Sequence, residues 1–355
     1  MDSSKSAPAR RLQQTLRMTS KQQTRRQNVT TTEPSPSSAN RDKFVTDAAR
    51  PCNSEDVQYP LTREEALEFV IHTLHIKDPE AAMLENSLAL LNNIIDQINK
   101  VIPFTNIHFF SSSLPVWNCT PDIQKHHMLS RQGGTCIWVN PFTKAILDRL
   151  GYKTYHICGF NPGDGTNDTH ISIIVEDVTH PGSRHLVDPG TRRPLCAAIP
   201  LDFDKESPVY KFHYMRSKFF RDGDFLTWCA QTPMNTGSKQ VMYDSEGQKW
   251  HKQVNFWLTE KRHWHPFVDT WKMFFQVCNV HKAPPFNGLI FFAYLDDKIV
   301  SVLALGGKFI TYFLEEDSYE KVEMTKSQLL ELLQTNFPQY SESKLREVFE
   351  NCPLG

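Results

Sequence analysis

The sequence predicts an α+β protein laid out in blocks: helices first, then strands, then a mixed end. Three observations carry this. Apolar residues recur every three or four positions from Leu61 to Val101, the period of helices packed on one face. From Tyr152 onward the chain turns to short runs of β-branched and aromatic residues between Pro, Gly, Asn and Asp clusters, the marks of strands and turns. Near the end, a hairpin pattern is followed by the leucine-rich run Ser327–Phe337, which reads as a helix.

The elements follow in order. Leu67, Val70 and Leu74 form one apolar stripe, and Leu84, Leu88, Leu91, Ile95 and Ile98 a second. Thr62 with Glu65 three residues on is a capping box, and Asp78-Pro79 opens the next helix. A further helix ends at Leu150, with Gly151 where a left-handed cap belongs. Tyr152–Phe160, Thr169–Val178 and Arg184–Asp188 read as strands. Residues 207–260 continue as a meander with turns at Asp222-Gly223 and Glu246-Gly247. Leu289–Leu295 and Ile299–Leu305 flank Asp296-Asp297 as a hairpin. No internal repeat is visible.

Composition narrows the class. The chain has 355 residues, 39% hydrophobic and 22% charged, which fits one large or two to three compact domains and excludes a wholly disordered chain. No run approaches the roughly 18–20 apolar residues of a membrane span. The net charge of −1 gives no global field for nucleic acid. Residues 1–50 hold ten Lys and Arg against four Asp and Glu, so they carry +6 and the rest −7. Residues 1–57 read as a solvated, disordered basic tail. A mitochondrial presequence or a partner-binding arm is the alternative, and Asp2 and the missing apolar face speak against the former. The first 30 residues lack an apolar signal segment, so a cytoplasmic, reducing compartment is expected.

The eight cysteines contain no Cys-x-x-Cys pair, and most are expected as buried small hydrophobes. His263-Trp-His265 puts two imidazoles on one strand face without a further ligand set, so no metal is expected. His126-His127 reads as helix surface. Gly163-Asp-Gly165 lacks the helix a phosphate loop needs.

One constellation carries chemistry. In Arg131-Gln-Gly-Gly-Thr-Cys136, two glycines allow close backbone approach, and a cysteine at a helix start gains from the positive end of the dipole. Thr169-His170-Ile-Ser-Ile-Ile-Val175 reads as a buried strand entered by a histidine. Thr179–Ser183 turns it back into Arg184-His-Leu-Val-Asp188. If Glu176 pairs with Arg184, Ser172 lies opposite Asp188 and His170 is its diagonal neighbour, within side-chain reach. Asp188 could then orient the imidazole and the imidazole activate Cys136. A slip of one residue would separate them.

These residues resemble the arylamine N-acetyltransferase family. Val101-Ile-Pro-Phe-Thr-Asn-Ile107 looks like its V-P-F-E-N-L segment. Gly133-Gly-Thr-Cys136-Ile-Trp-Val-Asn140 looks like its R-G-G-x-C-x-x-x-N. Gly151-Tyr with Gly159-Phe, Thr169-His170 and Val187-Asp188-Pro-Gly190 also match, and the similarity covers roughly residues 60–345. The resemblance implies a helical domain carrying the nucleophile (58–151), a β-barrel (152–266) and an α/β lid (267–355). It implies a ping-pong reaction in which Cys136 takes the acetyl group of acetyl-CoA, with His170 as base and Asp188 as orienter. A small arylamine, hydrazine or hydroxylamine then accepts it, and a monomer is expected. It places Phe104 in the acceptor pocket, with Thr166, Asn167 and Thr169 bordering the coenzyme and acceptor sites.

The sequence departs from the family at several positions. Gln132 stands where an arginine is usual, Thr135 replaces an aromatic and Thr105 a glutamate. Asn140-Pro141 is itself a helix-start signature, so the regular helix starts there or kinks. Thr191-Arg192-Arg193 follows Gly190 where the family has a pocket phenylalanine. Thr135 and Thr191 are therefore expected at the acceptor. Arg192 is expected at a CoA phosphate or a charged acyl group such as malonyl; the alternative is a solvent-facing turn. Rival readings are a cysteine hydrolase or transglutaminase-like enzyme with the same triad, and a catalytically retired scaffold.

Overall fold

The computed structural model describes residues 59–111, 120–162, 169–233, 239–262, 288–295, 298–305, 308–316 and 318–352. All lie in one compact unit, Ser54–Gly355. The basic tail, Thr166, Asn167, His263–His265 and the Asp296-Asp297 turn lie outside the described residues.

The helices begin where their caps stand. Thr62 and Glu65 close the capping box of α1 (Arg63–Glu68), which runs into a π-helical turn, Phe69–Thr73. Asp78 caps α2 (Pro79–Val101). Asn86 breaks α2 with φ −156° and ψ 92°, and its side chain accepts from Ala89 N (3.0 Å), recapping the second half. The break turns Leu84 out of the predicted stripe to 90% exposure, while Leu91, Ile94, Ile95 and Ile98 are fully buried. Then come α3 (Pro121–Leu129) and α4 (Cys136–Leu150), which ends on Gly151 at φ 100°. Of the histidine pair in α3, only His126 meets solvent; His127 is buried.

The strands form two antiparallel sheets. The larger runs β5 (Ile199–Pro200), β4 (Arg184–Val187), β3 (His170–Glu176), β2 (Lys153–Phe160), β10 (Lys249–Arg262), β8 (Phe225–Gln231), β7 (Met215–Asp222), β6 (Tyr210–Phe212), with β9 (Val241–Tyr243) on β10. Among the described strands this sheet stays open at β5 and β6. Where a β-barrel was expected, the described strands form a curled half-barrel. One edge explains itself: β5 is two residues long and ends in Pro200, which has no N–H to donate. The smaller sheet runs β1 (Phe104–Thr105), β11 (Ile290–Leu295), β12 (Lys298–Leu305), β13 (Lys308–Leu314), β14 (Tyr319–Met324), followed by α5 (Lys326–Asn336) and α6 (Glu342–Asn351). Phe292, Ile299, Tyr312 and Leu314 share a core with Ile157, Ile174, Trp228 and Phe256 of the larger sheet. No helix among the described residues is long and apolar enough to cross a membrane.

Candidate active site

The site is built where α4, β1 and the β3–β4 hairpin converge. Gly133 has φ +69°, and a Cβ there would sit 2.0 Å from the Pro103 carbonyl oxygen. A Cβ on Gly134 would lie 2.5 Å from that of Trp138. The double glycine thus admits the chain's own backbone: Gly134 N donates to Pro103 O (3.2 Å) and Thr105 N to Gly134 O (3.0 Å). Asn106 locks this segment to the smaller sheet, donating to Gly288 O (2.9 Å) and accepting from Ile290 N (2.7 Å).

Cys136 is the first residue of α4 and is buried. The helix therefore starts at Cys136 and runs through Pro141, against the start expected at Asn140-Pro141. The reason is what Asn140 does instead. Its Nδ2 donates to Ile171 O (2.5 Å) and Asp188 Oδ1 (2.8 Å), and its Oδ1 accepts from Gly190 N (2.8 Å). A Cβ on Gly190 would fall 2.7 Å from the Asn140 amide carbon. Eleven of the fifteen residues of α4 are buried, and that packing outweighs the helix bond lost at the proline.

The β3–β4 register pairs Glu176 with Arg184 and Ile173 with Val187, which sets Ser172 opposite Asp188. The Asp188 carboxylate is fully buried. Its Oδ2 accepts from Ser172 Oγ (2.9 Å) and pairs with His170 Nε2 (2.7 Å). Cys136 is the other group that acts on the same imidazole. Burial pulls the His170 pKa down, but the Asp188 carboxylate and then Cys136 outweigh it, lifting it from 6.5 to about 10. The carboxylate and the sulfur both favour the protonated ring over the neutral one. Sequence reasoning placed Ser172 but missed Asn140 and Gly190. The available signal was spacing: Asn140 lies one helical turn after Cys136, on the same face.

The other predicted residues are spread around this centre. Phe104 lies on β1, half-buried, opposite Phe292 and bridged to Gly134. Thr135 is the N-cap residue of α4, but its hydroxyl makes no cap bond and is buried without a partner. Thr169 is buried, and its hydroxyl accepts from Asn161 N (3.3 Å). Thr191 is buried and accepts from Arg193 N (2.8 Å). Thr191–Arg193 is therefore not a solvent-facing turn. Arg193 reaches Gln253 Oε1 (2.6 Å), and burial brings its pKa down to about 10. Burial likewise lowers that of Arg192, beside Tyr214 and Tyr312. Gln132, at the position of the family arginine, accepts from Lys344 Nζ (2.6 Å) of α6.

Comparison with known families decides the kinship. The family model described as N-acetyltransferase matches residues 87–338. The chain belongs to the arylamine N-acetyltransferase family. It is an enzyme with a mixed α+β fold of that family. The arylamine N-acetyltransferase of Nocardia farcinica superposes with a TM-score of 0.62 at 18% identity, over 83% of this chain and 97% of its own. That of Mycobacterium marinum, in complex with CoA, gives 0.59 at 18%, over 81% and 99%. That of M. tuberculosis gives 0.57 at 18%, over 79% and 99%. A comparison with curated proteins gives no match.

Proposed function

We propose that this acetyltransferase moves the acetyl group of acetyl-CoA through a thioester on Cys136 to an arylamine, hydrazine or hydroxylamine. The observation that carries the reading is His170, held by Asp188 at 2.7 Å and acted on by Cys136, both of which favour its protonated form. The cation and the positive end of α4 stabilise negative charge on the sulfur, the nucleophilic form. The sulfur attacks the acetyl carbonyl carbon. The backbone N–H of Cys136, at the first helical position and so without an acceptor within its helix, donates to the developing oxyanion. The bond from that carbon to the CoA sulfur breaks, and His170 gives CoA its proton. The neutral imidazole then takes a proton from the amine as its nitrogen attacks the thioester. The amide leaves, and the thiolate–imidazolium pair is restored.

Phe104, Thr135, Thr169 and Thr191 are proposed to line the acceptor pocket, and Arg192 to meet an anion. A second reading concerns the acyl group. Arg192, desolvated beside Tyr214 and Tyr312, presents a guanidinium that suits a CoA phosphate or the terminal carboxylate of malonyl-CoA.

The test is intact-protein mass after mixing with acetyl-CoA alone. A gain of about 42 Da, mapped to Cys136 and lost on adding an arylamine, is the expected result. Labelling by malonyl-CoA in its place selects the second reading. Alkylation of Cys136 without any acyl labelling overturns both and favours a hydrolase.

A further inference from the structure

A second Cys-His-Asp set stands apart from the one above. Asp96 of α2, Cys196 of the segment between β4 and β5, and His213 at the β6–β7 turn place one ligand atom each within 4.8 Å of one another. The Cys196 sulfur also lies 3.3 Å from the Tyr294 hydroxyl. We propose that these three residues bind a thiophilic divalent cation of the zinc class, with a water or the Tyr294 phenol at the fourth position.

The donor set is the first argument. A thiolate, an imidazole and a carboxylate on three separate elements are the ligand types of a zinc site with one open position. Tetrahedral bonds of about 2.0–2.3 Å put ligand atoms roughly 3.5 Å apart, so the three must close by no more than about 1.3 Å. Flexibility suffices for that. His213 is exposed, and the side chain of Asp96 is 29% exposed. Lys100, which Asp96 now holds at 2.5 Å, is itself 41% exposed and can turn to water.

The turn geometry is the second. Phe212 pairs with Met215, so His213-Tyr214 is a two-residue hairpin loop. His213 takes φ 47°, a position where Gly or Asn is usual. A bulky imidazole is kept there, against Tyr294 (ring centroids 5.1 Å) and over Cys196. Binding replaces the thiol proton: Cys196 loses H⁺ to solvent as the sulfur–metal bond forms. The ion would brace the segment that carries Asp188, since Leu195 N donates to Asp188 O (3.2 Å) and Asn99 Nδ2 to Leu195 O (3.0 Å).

The test is anaerobic titration of the full-length protein with Co²⁺, then Zn²⁺ competition. It is run on the unaltered chain and on C136A, which removes the other candidate thiol. One equivalent of Co²⁺ with tetrahedral d–d bands and a sulfur-to-cobalt charge-transfer band is expected in both, displaced by Zn²⁺. C196S should lose the charge-transfer band. H213Q, at an exposed position, should weaken binding by about 10–100-fold or more, and Zn²⁺ should raise Tm in the unaltered chain but not in H213Q. Absence of the charge-transfer band, or a band lost in C136A and kept in C196S, overturns the proposal. Neither result bears on the thioester reading, which mass labelling decides separately.

Discussion

Cys136, His170 and Asp188 on one hand, and Cys196, His213 and Asp96 on the other, are the same three side-chain types in two settings. In the first, the acid is fully buried and takes bonds from Asn140, Ser172 and His170. The imidazole inherits a fixed partner and a fixed charge. In the second, the acid is half-exposed and paired with Lys100, the thiol rests against a phenol, and the imidazole meets water. The difference teaches that composition does not make a triad. A buried carboxylate with every donor assigned fixes the orientation of the histidine that faces it. The same groups left adjustable make a site for an ion.

The comparison is broken most directly at the sulfurs. Cys136→Ala should lower acetyl transfer by at least about 10³-fold, while Cys196→Ser leaves it within about twofold; steady-state transfer to an arylamine measures both. Equal losses would erase the distinction. Asp188→Asn comes next, with a fall in kcat of about 10²–10⁴-fold. It also removes the main charge that lifts His170, so the His170 ring titration followed by NMR should move down from near pH 10. In the unaltered chain the raised pKa stabilises the fold fully below about 6.5, and this contribution is lost as pH rises through about 10. Tm should therefore decline from pH 7 to pH 10 more in the unaltered chain than in His170→Gln.

Smaller effects sharpen the contrast. Asn140→Ala strips partners from Asp188, Ile171 and Gly190, and should cost about 1–3 kcal/mol in urea denaturation. Ser172→Ala removes one bond to Asp188 and should cost about 1 kcal/mol by the same measurement. Asp96→Asn should stay within about 0.5–1 kcal/mol, because its ion pair with Lys100 is partly exposed.

Much of the first site was legible because its geometry is local. The seven residues between Glu176 and Arg184 fix the β3–β4 register, and that register alone puts Ser172 and His170 beside Asp188. Helix caps at Thr62, Asp78 and Gly151 were readable for the same reason. What failed to show was whatever depends on distant chain. Asn140-Pro141 reads as a helix start until Asp188 and Gly190 claim the asparagine. Leu84 continues an apolar stripe until Asn86 breaks the helix. The double glycine suggests room for a ligand, whereas Pro103 and Trp138 fill it. Residues 96, 196 and 213 share no motif at all, and only the fold brings them together.

The ladder between Phe104–Thr105 and β11 has a consequence for the newborn chain. Thr105 bonds to Ile290 across 185 residues, and a ribosome adding about 5–20 residues per second leaves β1 without its partner strand for roughly 10–40 s. Over that interval Cys136, His170 and Asp188 have all emerged, yet the segment that backs the Gly133-Gly134 turn still lacks its partner in the smaller sheet. A message cut short before codon 290 would yield a chain that holds Cys136, His170 and Asp188 but lacks the strand that anchors the turn beneath the cysteine.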